Sequence, residues 1–137
     1  MLRSLHIADY MNPRPVKVHV DDSLIQASDV ITRNHVSGAC VVNDDAQLVG
    51  VLSEIDCLRS VLSATYNNTA DIGTVRSAMT AEVQCCDLHD NIVDVAMDMI
   101  SKGHRRRPVV ENGRLVGQLT CRQILRVVSA FNDSRPR

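Results

Sequence analysis

Aromatic side chains are nearly absent from this sequence of 137 residues, which contains one Phe, two Tyr and no Trp. A folded chain of this composition must build its interior from aliphatic side chains, and hydrophobic residues make up 45% of the total. That fraction is typical of a globular protein and too high for a disordered one. The length fits one ordinary domain or two small repeats that share a core.

The sequence also lacks an excess of charge of either sign, because 15 Lys and Arg face 16 Asp and Glu and leave a net charge of −1. General binding to nucleic acid or to a membrane surface needs a basic field over a whole face, so neither is expected. No apolar run is long enough to span a bilayer, and the first residues lack the features of a signal peptide. We therefore predict a cytoplasmic protein.

Cysteine and histidine are present without the spacing of a metal or catalytic motif. The five cysteines form no Cys-x-x-Cys pair, and their odd number is typical of reduced thiols in a cytosolic protein. Adjacent Cys85 and Cys86 are poorly spaced around a tetrahedral ion, which favours buried or edge-strand thiols over a metal site. The histidines are scattered, and a Gly-rich phosphate loop is absent. We therefore expect neither a metal site nor an enzyme.

The chain repeats itself at an offset of 68 residues, which aligns Met11 with Met79 and Asp22 with Asp90. The same offset aligns Leu24 with Ile92, Ile31 with Met99, and Val41-Val42 with Val109-Val110. After a shortening by one residue at a turn, the aligned segments are Leu48-Val49-Gly50 with Leu115-Val116-Gly117, Leu52-Ser53 with Leu119-Thr120, and Leu58 with Leu125. This many matches in register indicate an internal duplication.

Each copy has the pattern of strand–helix–strand–strand–helix. An extended piece ends at Asp21-Asp22, acidic candidates for a helix N-cap, and Leu24, Ala27 and Ile31 then recur at helical spacing. Two short strands follow, and in the second copy their turn contains Asn112-Gly113, a strong hairpin signal. The predicted segments are strands at 16–20, 39–42 and 48–52, a final helix over 54–62, and its counterpart over 121–128.

The two copies are expected to pack together as a pseudo-two-fold pair, since one copy alone would leave a sheet face and two helical stripes poorly covered. We place the repeats at 8–66 and 76–131, with a linker between them and a frayed polar tail at 132–137. The predicted fold class is α/β (α+β), built from two tandem repeats of this order.

Four short segments carry a resemblance to a known family. They are Tyr10-Met11, Ala78-Met79, Pro108-Val109-Val110 and Gly50-Val51-Leu52-Ser53-Glu54-Ile55-Asp56. In this order and spacing the sequence resembles the CBS (cystathionine β-synthase) domain family over residues 8–131, and in particular its tandem pair, the Bateman module. The resemblance implies a cleft that binds adenosine-containing ligands such as AMP, ATP or S-adenosylmethionine. It also implies that two modules pair into a homodimer.

Ser53 and Asp56 have two interpretations. Ser53 ends a strand and Asp56 follows three residues later on the first helical turn, which is the spacing of a capping box. The resemblance implies that Asp56 also accepts hydrogen bonds from a ribose diol, as the family's S/T-x-x-D motif does. In the second copy, Thr120 and Gln123 keep the capping pattern without the carboxylate. Capping explains both copies, whereas a ribose role is predicted for the first alone.

A basic run, His104-Arg105-Arg106-Arg107, precedes Pro108 in the second copy, where the first copy has the uncharged Val36-Ser37-Gly38-Ala39. One interpretation is a solvated strand start. The resemblance implies that Arg105 and Arg106 bind phosphate, while strand alternation turns Arg107 away or into the core. Arg122 is a candidate for a further phosphate contact.

The resemblance joins Asp56 of one repeat with Arg105 and Arg106 of the other in one competent nucleotide site. The other cleft, with Gln123, Ser37 and Gly38, lacks both kinds of charge and is expected to be degenerate. The adenine is expected near Val83, Gln84 and Val51, read mostly through backbone groups, and plain core packing is an equal alternative for these three residues.

The sequence therefore predicts a regulatory, homodimeric sensor of an adenine nucleotide, with no required cofactor. With almost no sequence outside the repeats, it is expected to lack an output domain and to signal to a separate, regulated protein. The alternatives are a ligand-free dimerisation scaffold and an S-adenosylmethionine binder. An enzyme is a third alternative, suggested only by the histidines and thiols.

Overall fold

The structure, a computed structural model, is described for residues 1–133. Residues 134–137, part of the predicted frayed tail, lie outside the described residues. After a 3-10 turn at Ile7–Asp9, the elements are β1 Lys17–His19, α1 Leu24–Arg33, β2 Gly38–Val42, β3 Leu48–Ser53, α2 Glu54–Tyr66, α3 Val75–Ala78, β4 Cys86–Asp87, α4 Ile92–Lys102, β5 Arg106–Glu111, β6 Arg114–Thr120 and α5 Cys121–Asp133. Helices α2 and α5 extend beyond their predicted ends at 62 and 128.

Within residues 1–133 the strands form two three-stranded sheets, in the orders β1-β2-β3 and β4-β5-β6. In each sheet the first strand is parallel to the second, because a helix connects them, and the second and third strands form an antiparallel hairpin. The predicted mixed α/β class, with its element order repeated twice, is confirmed.

The two hairpin turns differ in length as the alignment of the copies predicted. In the second repeat, Glu111 pairs with Arg114, and the two residues between them, Asn112 and Gly113, have φ angles of 52° and 79°. Positive φ at both central positions is typical of a type I′ turn, so the hairpin signal is confirmed. The longer turn of the first repeat is closed by Asn43, whose side-chain oxygen accepts two backbone N–H groups.

The start of α1 corrects one prediction. The N-cap is Ser23 rather than Asp21 or Asp22, and Ser23 forms a reciprocal capping box with Gln26. Asp22 lies one residue too early to cap the helix, and its carboxylate instead accepts the backbone N–H of His19 at 3.0 Å. The predicted apolar stripe of this helix, Leu24, Ala27 and Ile31, is buried.

The chain divides into two compact units that are not continuous in sequence. The first-repeat unit is Pro15–Val83, and among the described residues the second-repeat unit joins Met1–Arg14 to residues 84–133. Each unit therefore contains one repeat together with the segment that precedes the other repeat. The 3-10 turn belongs to the second-repeat unit, whereas its aligned counterpart, α3, belongs to the first-repeat unit.

Both exchanged segments are integral parts of the cores they join. Ile7 and Tyr10 are 0% and 1% exposed within the core of the second-repeat unit. Val75, which aligns with Ile7, is 0% exposed within the core of the first-repeat unit. Backbone hydrogen bonds repeat the pattern, because the first N–H groups of α1 and α4 are bonded to Gly73 and Leu5, respectively. The exchange is thus a property of both copies.

Gly50 and Gly117, at aligned positions of β3 and β6, admit the exchanged segments. A Cβ at Gly50 would stand 2.9 Å from the carbonyl oxygen of Thr80, and one at Gly117 would stand 2.9 Å from that of Asn12. The sulfur atoms of Met79 and Met11 approach the same two positions even more closely. The methionines and glycines that first revealed the duplication therefore mark where each segment crosses a strand.

Candidate functional site

Ser53 and Asp56 form a complete capping box at the start of α2. The Asp56 N–H donates to the Ser53 hydroxyl oxygen at 3.1 Å, and the Ser53 N–H donates to Asp56 Oδ2 at 2.9 Å. The capping interpretation of the motif is therefore confirmed, and one of the two carboxylate oxygens is committed to it. The Asp56 side chain is 15% exposed.

The second carboxylate oxygen of Asp56 has a weaker neighbour. Arg59 Nη1 lies 3.5 Å from Asp56 Oδ1, and the Arg59 side chain is 73% exposed. A pair this long and this exposed contributes at most about 1 kcal/mol, so a ligand hydroxyl can displace it. Sequence reasoning missed Arg59, although its position three residues after Asp56 on one helix predicts the contact. A ribose role for Asp56 depends on Oδ1.

The aligned helix start of the second repeat keeps the hydroxyl half of the capping arrangement, since the Gln123 N–H donates to Thr120 Oγ1 at 3.0 Å. Arg106 pairs with Thr120 across the β5–β6 hairpin, and the carbonyl oxygen of Arg105 accepts the first N–H of α5 at 3.0 Å. Arg105, Arg106 and Arg122 are exposed. The three residues predicted to contact phosphate thus lie where β5 begins and where α5 begins.

Arg107 points inward, as strand alternation predicted, and only 3% of its surface is exposed. Its Nη1 donates to Asp98 Oδ2 at 2.6 Å, and its Nη2 lies 3.1 Å from His104 Nδ1. Because arginine has no acceptor, that ring nitrogen of His104 must be the acceptor. Among the described residues, Arg107 Nε is buried without a hydrogen-bond partner.

The contacts of Arg107 continue along α4 to Gln84. Lys102 Nζ lies 3.1 Å from Asp98 Oδ2 and also donates to Gln84 Oε1 at 3.1 Å. Hydrogen bonds from Arg107 and then from Lys102 hold the pKa of Asp98 below its usual range, because they stabilise the carboxylate form. Asp98 and Lys102 were missed from the sequence, yet the aligned repeats could have revealed Asp98, since Val30 occupies its position in the first copy.

The residues predicted to surround adenine differ in burial and belong to different units. Val51 and Val83 belong to the first-repeat unit and are half-buried, whereas Gln84 belongs to the second-repeat unit and is exposed. The Val51 N–H and carbonyl are both bonded to Thr80, at 3.0 and 2.9 Å. This bridge uses the one backbone donor of Val51, so its N–H is not available to a ligand.

Possible metal sites, thiols and membrane spans were also assessed in the part of the chain that the structure describes. No group of three His, Cys, Asp or Glu residues there could hold a metal ion. All five cysteines are free thiols, and burial raises the pKa of the Cys86 thiol to about 12. No helix within residues 1–133 is both long enough and apolar enough to cross a bilayer.

The family model of the CBS domain matches the chain twice, over residues 7–63 and 74–130. The chain therefore belongs to the CBS domain family and carries two copies of the domain in tandem. This confirms the resemblance seen in the sequence.

Curated relatives extend beyond the length of this chain. Uncharacterized protein MJ1225 of Methanocaldococcus jannaschii is 28% identical over 129 residues, a match that covers 92% of this chain and 45% of that protein. The transcriptional repressor CcpN of Bacillus subtilis is 24% identical, with 97% of this chain and 64% of the repressor covered. The chain thus spans less than two thirds of either relative.

Similar solved structures match almost the whole chain. A structure of CBSX2 in complex with AMP has a TM-score of 0.79 and 28% identity, and the match covers 96% of this chain and 100% of that one. The protein AcuB of Vibrio cholerae has a TM-score of 0.82, with 96% and 98% of the two chains covered. At 19% identity the similarity to AcuB shows the fold alone.

Proposed function

We propose that this chain is a regulatory module that binds an adenosine-containing nucleotide of the AMP, ADP or ATP type. The observation that carries the proposal is the difference in contacts between the two carboxylate oxygens of Asp56. Asp56 Oδ2 caps α2, while Oδ1 has only a long contact with an exposed arginine among the described residues. The AMP complex of CBSX2, at 28% identity, supports the choice of ligand class.

The proposal assigns the ribose to Asp56 and the phosphate to Arg105 and Arg106, with Arg122 as a further phosphate contact. A ribose hydroxyl bonded to a carboxylate forms a charge-assisted hydrogen bond, which is stronger than a neutral one. Guanidinium groups suit phosphate because they stay charged and offer two donors in a fixed fork. Adenine is assigned to the side chains of Val51, Val83 and Gln84. In this proposal the nucleotide is a regulatory ligand and is not turned over.

A thermal-melting screen tests the proposal. Ligand at about 100 times its dissociation constant stabilises the folded state by roughly 2.7 kcal/mol, so AMP, ADP or ATP is expected to raise the melting temperature. The variant Asp56→Gln copies the second repeat, where Gln123 occupies the aligned position. It is expected to fold and to lose the ligand-induced shift, because an amide cannot provide the carboxylate charge.

The control is Gln123→Glu, which changes the aligned side chain in the other repeat and is expected to keep the shift. If AMP, ADP, ATP and S-adenosylmethionine all leave the melting temperature unchanged, the sensor proposal is wrong and a ligand-free scaffold is favoured. A shift with S-adenosylmethionine alone would move the ligand class to adenosyl sulfonium compounds.

We further propose that the module is a homodimer that passes its signal to a separate protein. Helix α2 exposes Ile55, Leu58 and Leu62 by 65%, 57% and 61%, at a spacing that forms one apolar stripe. Apolar stripes of this kind mark interaction surfaces. Sedimentation is expected to show a dimer for the unchanged chain and a monomer for Leu58→Glu. A monomer for both would contradict the dimer.

A further inference from the structure

Three aligned positions are apolar in the first repeat and polar in the second. The first repeat has Val30, Val36 and Ala39, and the second has Asp98, His104 and Arg107 at the same offset of 68 residues. All three positions change together, and in the second repeat the three side chains contact one another through Arg107. They therefore form one replaced cluster.

The fold does not require this cluster. In the first-repeat unit, Ala39 is 5% exposed in the core, and Val30 and Val36 pack against that core. The same helix, loop and strand thus form around apolar side chains. Replacing buried ion pairs with well-packed apolar residues is often neutral or stabilising in proteins.

Arg107 also carries an uncompensated penalty. Its guanidinium is buried, and its Nε has no hydrogen-bond partner among residues 1–133. A buried donor without a partner is unfavourable, because the desolvation of that group is not repaid. Since the aligned apolar set avoids this penalty, stability alone does not explain the polar cluster.

The position of the cluster around Arg105 and Arg106 explains its presence better than stability does. His104 and Arg107 bond to each other, and the two residues between them in sequence are Arg105 and Arg106, the proposed phosphate ligands. The bond to Asp98 ties the same segment to α4. The backbone that carries the two exposed arginines is therefore held by a hydrogen bond between the residues on either side of it and by a bond to a helix. We call this arrangement the clamp.

We propose that Asp98, His104 and Arg107 are positioning residues that hold Arg105 and Arg106 ready for phosphate. The proposal rests on the proposed nucleotide function and identifies what makes the second repeat the phosphate-binding one. A clamp of this kind raises affinity because less conformational freedom is lost when the ligand binds. It acts on the phosphate and not on the nucleoside part of the ligand.

The test is the affinity of the full chain for AMP and for adenosine, measured by titration calorimetry. The triple variant Asp98→Val, His104→Val, Arg107→Ala installs the first repeat's own residues at the three positions. We expect it to bind AMP about tenfold more weakly, the loss expected when two long side chains must be ordered on binding. Adenosine affinity is expected to stay the same, and Arg106→Gln is expected to show the same selective loss by removing a phosphate contact directly.

Two outcomes overturn the inference while the proposed function stands. They are an unchanged ratio of AMP to adenosine affinity in the triple variant, and an equal loss for both ligands, which would indicate a structural role only. If the triple variant does not fold, Asp98→Asn provides the same test, because it weakens the anchor to α4 without changing the shape of the side chain. Failure of the unchanged chain to bind AMP would instead refute the proposed function, and the inference with it.

Discussion

At the scale of single residues, the two carboxylate oxygens of Asp56 have different contacts. Its Oδ2 completes a capping box, and its Oδ1 lies 3.5 Å from Arg59 Nη1. We infer that a ribose hydroxyl that bonds to Oδ1 displaces this guanidinium, because the contact is long and the Arg59 side chain is exposed. Arg59 therefore competes with the nucleoside part of the proposed ligand.

We predict that Arg59→Gln strengthens adenosine binding by up to about fivefold, because an exposed ion pair is worth roughly 0.2–1 kcal/mol. Titration calorimetry measures the change. Arg126→Gln is a matched control. Arg126 follows Gln123 at the same spacing, and Gln123 has no carboxylate with which Arg126 could pair. A weaker affinity in Arg59→Gln would show that Arg59 contacts the ligand rather than competing with it.

At this scale, one part of the candidate site could be predicted from the sequence and another part could not. Ser53 and Asp56 were predicted because a capping box is a local pattern, read from residues three apart. The partners of Arg107 were not predicted as a cluster. Asp98 precedes Arg107 by nine residues, and only the packing of α4 against β5 brings the two side chains together.

At the scale of elements, each exchanged segment crosses a strand at a glycine that has little free space around it. A Cβ at Gly50 would meet the flexible Met79 side chain and also the Thr80 carbonyl oxygen, which belongs to the backbone and has little freedom to move. The Val51–Thr80 bridge lies immediately beside this point.

We predict that Gly50→Ala lowers the free energy of unfolding by about 1–3 kcal/mol, the usual range for an overpacked site. Denaturant unfolding measures the loss, and faster hydrogen exchange at the Val51 and Thr80 amides locates it. Gly103→Ala serves as a comparison, because nothing lies within 4 Å of a Cβ there and only its φ of 69° opposes the change. Unchanged exchange at the bridge in Gly50→Ala would contradict the crossing contact.

Element order was predictable because apolar periodicity and turn residues act over short distances. The strands, helices and hairpin turns were read in this way, and the one misplaced cap lay a single residue from the true one. Membership of the exchanged segments was not predictable from such patterns. Nothing in the periodicity of residues 1–14 states that they complete a core formed by residues after Val83.

At the scale of the whole molecule, the exchange of segments predicts that a core substitution before one repeat destabilises the unit of the other repeat. Ile7 and Val75 are both fully buried. Ile7 comes before the first repeat but lies in the core of the second-repeat unit, whereas Val75 comes before the second repeat but lies in the core of the first-repeat unit. Ile7→Ala, which is expected to cost about 2–5 kcal/mol, should raise native-state hydrogen exchange in residues 84–133 before residues 15–83. Val75→Ala should reverse the order. Loss of protection in the repeat that directly follows each substitution would contradict the exchange.

The exchange also has a consequence for synthesis on the ribosome. Every part of the first-repeat unit, including α3, has been translated before Gln84 is added, so this half has all of its core residues first. Ile7 and Tyr10 are made earlier still, yet the strands of their core are made only after Gln84. Domains generally fold as units when their residues become available. Residues 1–14 must therefore remain without their core partners until the residues after Val83 have been translated.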